Sequence, residues 1–195
     1  MPRFRNSEQG WGWLSILLHW LTTLVVIGLF VLGTWMADLD YYSSWYRTAP
    51  FWHKSIGVLL FGLILLRLVW RWVQVKPASL PTHAAWERKL ASLVHIALYL
   101  LLLSACVSGY LISTADGREL SVFDWFALPA LVTDVDNLED RAGEVHEWLT
   151  TALVILAGLH ALAALKHHFL DRDATLRRML GFTDNRFTDK HGDQS

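Results

Sequence analysis

The chain has 195 residues, 53% of them hydrophobic and eleven of them tryptophan, with a net charge of −1. So apolar a composition excludes an ordinary soluble domain and a disordered one, and the near-zero charge argues against nucleic acid as a partner. The single cysteine, Cys106, lies inside an apolar run and reads as a small buried hydrophobe, which excludes a disulfide framework and a cysteine metal site.

Four apolar segments follow one another, at about residues 14–37, 55–73, 90–114 and 145–170. Each is long enough to cross a bilayer, since a span needs about 20 mostly apolar residues rising about 1.5 Å each. The first follows a short leader with Arg3 and Arg5 but is too long for a cleaved signal, and reads as a retained span. Pro50 precedes the second, and Pro77 and Pro81 interrupt the stretch between the second and third. Trp11, Trp13, Trp35, Trp45, Trp52, Trp70, Trp72, Trp86 and Trp148 fall at segment ends, as an aromatic belt at headgroup level does. The connection 115–144 is long and carries the apolar patch VFDWFALPALV, expected to lie on the membrane surface as a short amphipathic helix capping that end. The expected fold is an all-α integral membrane four-helix bundle over residues 1–180, with a polar, flexible tail at 181–195.

Positive residues set the direction of threading. Arg3, Arg5, Arg71, Lys76, Arg88, Lys89, Lys166, Arg172, Arg177, Arg178, Arg186 and Lys190 share one side with both termini, against Arg47, Lys54, Arg118 and Arg141 on the other. The positive-inside rule then places both termini in the cytoplasm and the acidic 115–144 connection outside.

Histidines recur near the ends of every span: His19, His53, His95, and His146 with His160 in the fourth. The fourteen residues between His146 and His160 fall about 40° short of four turns, so both imidazoles leave one face, about 21 Å apart. An ionisable group at bilayer depth is costly and points into the bundle or at a bound group. By depth the histidines form an outer pair, His53 and His146, and an inner trio, His19, His95 and His160. Opposed imidazoles in apolar surroundings suit the iron of a porphyrin, which needs two axial nitrogens, better than zinc, which takes three or four ligands. Glycines lie near them: Gly28 and Gly33 after His19, Gly57 and Gly62 after His53, Gly158 before His160. Arg67 or Arg71 within, and Lys54, Arg47 or Arg118 without, are the cations available to propionates. His95 is the spare, either an alternative inner ligand or a donor to a propionate or quinone. His83 in an inner loop and His191 in the tail read as incidental.

The pieces ILLHWL, FWHKSIG with LLRLVWR, LVHIALYLLL, and above all VHEWL with GLHALAALKHHF and DATLRRML resemble the bacterial di-haem cytochrome b561 family over about residues 14–180. The resemblance implies two haem b groups, the outer held by His53 and His146 and the inner by His19 and His160. It is nearest to the family's superoxide-oxidising members, which pass electrons from periplasmic superoxide through both haems to ubiquinone at the inner face of the bacterial inner membrane. Their quinone site resembles the segment around His167 and His168, which makes His167 the expected quinone donor. Lys54, next to His53, is the expected positive spot for an anionic donor, because the outer connection is otherwise acidic. Two other readings remain: an electron-transfer subunit of a larger dehydrogenase or hydrogenase, and a histidine-lined transporter for a divalent metal or protons. The apolar midplane speaks against the transporter.

Overall fold

A computed structural model describes residues 4–80 and 82–182. Arg3, Pro81, Arg186, Lys190, His191 and nearly all of the expected flexible tail lie outside the described residues. The chain forms helices α1 (Trp13–Ala37), α2 (Thr48–Val73) and α3 (Ala85–Thr114), a hairpin of β1 (Leu120–Val122) and β2 (Phe126–Leu128), then α4 (Leu138–Phe169) and a short α5 (Thr175–Met179). All four long helices are long and apolar enough to cross a membrane. Leu24, Ile27 and Val31 on α1 stand more than half exposed, as outward faces do when lipid and not water is the solvent.

Several helices begin before their apolar runs. α2 starts at Thr48 and takes Pro50 into its first turn, where a missing N–H costs nothing, so His53 lies inside the helix. α4 starts seven residues before residue 145, with Glu139 and Asp140 in the first turn against the positive end of the helix dipole. Ahead of α3, the Ala84 N–H donates to the Glu87 carboxylate at 2.9 Å.

The helices pack in a ring. α3 lies closely along α4, α1 along α2, and α2 against α3, while α1 and α4 barely touch. Leu60, Ile64, Leu102 and Leu153 are buried together at mid-height, with Val26 and Cys106 packed against them. The end where α1 begins is knitted by hydrogen bonds. Asn6 reaches Gln74 and Val75, Trp70 Nε1 donates to Ser15 at 2.9 Å, and Trp20 Nε1 donates to the Met179 carbonyl at 2.8 Å. Two of the tryptophans are therefore anchored by their indole N–H.

At the opposite end the apolar patch is an antiparallel hairpin, not the expected amphipathic helix. Leu120 and Val122 are buried and Ser121 between them is exposed, the two-residue period of a strand. Phe123 and Asp124 at the tip take positive φ (50° and 57°), which breaks any helix there. The hairpin does cover its end of the bundle. Phe123 stacks edgewise on Trp52 at 5.2 Å, and its N–H donates to the fully buried Ser55 hydroxyl at 3.1 Å. Ser55→Ala leaves that N–H without its acceptor, a loss of about 1 kcal/mol. Limited proteolysis should then cut within residues 115–137 faster than in the parent.

Candidate functional site

One seven-residue spacing runs through all four long helices and sorts the interior into tiers. Along α1 it meets His19, Val26 and Gly33; along α2, His53, Leu60 and Arg67; along α3, His95, Leu102 and Gly109; along α4, His146, Leu153 and His160. Seven residues are close to two turns, so each series stays on one face. The hairpin tier therefore holds His53 and His146, the middle tier is aliphatic, and the terminal tier holds His19, Arg67, His95 and His160.

In the hairpin tier the His53 and His146 rings stand 6.3 Å apart between centroids and 77° apart in plane. The remaining two helices supply glycine at this level. A Cβ on Gly33 would lie 3.0 Å from His53 Cε1, and one on Gly109 would lie 3.1 Å from His146 Cε1. Gly33 thus serves His53 and not its own helix's His19, and Gly109 was not among the glycines singled out from sequence. At Gly28, Gly57, Gly62 and Gly158 a Cβ would meet nothing within 4 Å.

His146 Nδ1–H donates to the Ala105 carbonyl at 2.9 Å, with the Ser108 hydroxyl at 3.1 Å. Facing a carbonyl, Nδ1 must carry the proton, which leaves Nε2 as a lone-pair donor. His53 Nδ1 is buried without a hydrogen-bond partner, the Leu29 carbonyl beside it falling short of bonding geometry. Two imidazoles bound to one iron at about 2 Å each would put their centroids about 6 Å apart, close to the separation of these two rings.

The terminal tier is arranged differently. His95 and His160, on the closely packed α3 and α4, lie 5.1 Å apart in edge contact. His19 instead accepts a hydrogen bond at Nδ1 from Arg67 Nη2 at 2.9 Å. Arg67 turns inward under the Tyr99 ring, 5.5 Å from its centroid, and does not run out to the surface. Arg71 is exposed and 5.8 Å from the same ring.

His167 continues the α4 series, seven residues beyond His160. Its Nδ1 lies 2.7 Å from Asp171 Oδ2, though off the direction a hydrogen bond needs. The His83 ring packs on it at 4.7 Å, and His83 Nε2 bonds Asp173 Oδ2 at 2.8 Å. His83 is therefore not the incidental residue expected from sequence. Burial pushes the Asp173 carboxyl up, but hydrogen bonds from Thr175 and His83 outweigh it and hold the group below the usual carboxylate range.

At the hairpin end, Lys54 is exposed and has no ion-pair partner among the described residues. Arg118 is taken up by Asp116 at 2.6 Å, and its N–H and guanidinium hold that carboxyl below its usual range.

The description "Prokaryotic cytochrome b561" belongs to a family model that matches residues 10–182. Cytochrome b561 homolog 2 of Escherichia coli (strain K12) is 47% identical over 178 residues, 91% of this chain and 95% of that protein. Cytochrome b561 homolog 1 of the same organism is 30% identical over 180 residues, 92% and 98% of the two chains. Probable superoxide oxidase CybB of Yersinia pestis is 29% identical over 171 residues, 86% and 93%. Haem b is the group this family implies, and opposed imidazoles inside a bundle of four membrane-crossing helices are what it requires. With the family pattern running through every long helix, the chain belongs to the prokaryotic cytochrome b561 family, multi-pass inner-membrane proteins of electron transfer.

Proposed function

We propose that the chain is a di-haem b oxidoreductase that carries electrons across the inner membrane from superoxide at the periplasmic face to ubiquinone at the cytoplasmic face. The observation that carries this reading is the two tiers of histidine separated by an aliphatic one. His53 and His146 would hold one haem near the hairpin, and His160 with His19 the other near the end bearing both termini. That second end carries most of the basic residues and is assigned to the cytoplasm. Haem supplies the one-electron chemistry when bound. The chain supplies axial nitrogens, the Leu60, Leu102 and Leu153 layer that keeps water out between the tiers, and Arg67 and Arg71 as partners for propionates.

His167 is the proposed quinone donor at the cytoplasmic end, with Lys54 as the positive contact for an anionic donor outside. His167→Ala should slow ubiquinone reduction at least tenfold with the haem spectrum unchanged; loss of haem in that variant would move His167 into the haem pocket instead. The activity is tested on the purified haem-loaded chain in detergent, supplied with enzymatically generated superoxide and a soluble ubiquinone. Quinone reduction that superoxide dismutase abolishes supports the proposal.

Silence in that assay favours a second reading, an electron-transfer subunit fed by a partner protein. The acidic residues of the hairpin side, Asp116, Asp134 and Asp136 among them, support it: they repel an anion and attract a basic partner. Membrane lipid surrounds the bundle in both readings.

A further inference from the structure

Below the cytoplasmic tier the chain builds a compact donor set of which the proposed electron transfer uses only His167. One ligand atom from each of His83, His167 and Asp173 lies within 4.8 Å of the other two, with His83 Nε2 and His167 Nδ1 both turned to Asp173 Oδ2. Asp173 Oδ2 is 2.8 Å from the first and 3.6 Å from the second, separations close to the roughly 3.3 Å between neighbouring ligands of a tetrahedral ion at about 2 Å. The Asp173 side chain is 2% exposed, and the His83 and His167 side chains 18% and 16%. Asp173 is held in place from its other oxygen, which accepts the Thr175 N–H at 2.8 Å, and its own N–H returns to the His167 carbonyl at 3.0 Å. Arg172 between the two aspartates takes φ 54°, a left-handed turn that folds Asp173 back beneath His167.

A neighbouring set, Glu87, His167 and Asp171, shares the same histidine. Its carboxylates already hold a cation, since Lys166 Nζ reaches Asp171 at 2.7 Å and Glu87 at 3.4 Å. No lysine or arginine occupies Asp173 among the described residues. Two imidazoles and one carboxylate with a fourth position open to water are the donor set of a zinc-like divalent ion.

We propose that His83, His167 and Asp173 form a binding site for a divalent zinc-type cation, which clamps the loop after α2 to the end of α4. Because the ion takes His167 Nδ1, the imidazole keeps only its Nε2–H and can no longer exchange a proton at the bound nitrogen, so occupancy slows a quinone step that draws its proton through His167. This second half rests on the role given to His167 above, whereas the binding does not.

The test uses the haem-loaded protein in detergent, stripped with a chelator and titrated with zinc chloride by calorimetry and by equilibrium dialysis with metal analysis. One zinc per chain is expected in the parent. His83→Gln and Asp173→Asn should each weaken binding at least about tenfold with the haem absorption unchanged, and Asp171→Asn should leave it within about threefold. Unsaturable binding, or one site that survives both His83→Gln and Asp173→Asn, overturns the proposal. If Asp173→Asn loses its haem spectrum, His83→Gln alone decides. Zinc-loaded parent that reduces ubiquinone at the full rate overturns the inhibition and leaves the site standing.

Discussion

Alanine in place of His53 or of His146 is expected to lower the haem content from about two to about one per chain, and to remove the same haem in either case. The two rings are the axial candidates from α2 and α4, which face each other across the bundle without close backbone approach. His146 is already held for the task, its Nδ1–H committed to Ala105 and its Nε2 free. His53 Nδ1 is buried beside the Leu29 carbonyl, which leaves Nε2 as the nitrogen for a bound group. Haem extraction with a haemochromogen assay gives the count, and a redox titration shows which component has gone. Retention of both haems in either variant, or loss of both, would refute the pairing.

The second large effect separates two histidines of one tier. His19→Ala should likewise leave about one haem per chain, while His95→Ala should leave two. On proximity alone the opposite follows, because His95 is the ring beside His160 and His19 is bonded to Arg67. The reason lies in the helix packing. Centroids 5.1 Å apart leave less than the roughly 6 Å that an iron between two imidazoles requires, and α3 and α4 pack too closely along their length to open for a flat ring. α1 and α4 barely touch, so the seam between His19 and His160 is where a macrocycle enters at least cost. A propionate would offer Arg67 a stronger, charged partner and so free His19. A one-haem His95→Ala protein together with a two-haem His19→Ala protein would assign the inner ligand to α3.

The seven-residue series explains how much of this site a reader of the sequence can find. His146 and His160 are legible as a pair because they share one helix, where spacing alone sets the face. The same spacing ties His19 to Gly33 and His95 to Gly109, and it was there to be read across the other helices. What it means depends on the partner helix: Gly33 is small because His53 of α2 lies against it, and Gly109 because His146 of α4 does. His83 is the plainest omission. A histidine in a polar loop carries no local signal, and its worth comes from Asp173, ninety residues away in the chain. The hairpin at residues 120–128 was missed for a related reason, since a short apolar run suits a helix or a strand and the tip residues with positive φ are not glycine.

Hydropathy and helical period are local, additive properties, and from them the sequence by itself determined that there are four membrane-crossing helices and at what depth each histidine lies. Which imidazole faces which, where Arg67 turns, and what meets His167 are lateral questions answered by the packing of one helix on another. Side chains a few ångströms apart in space there stand dozens of residues apart in the chain, so only the tertiary structure decided them. The cause is the solvent. Lipid is as apolar as the side chains, which leaves close packing and polar contacts, not hydrophobic pattern, to choose neighbours.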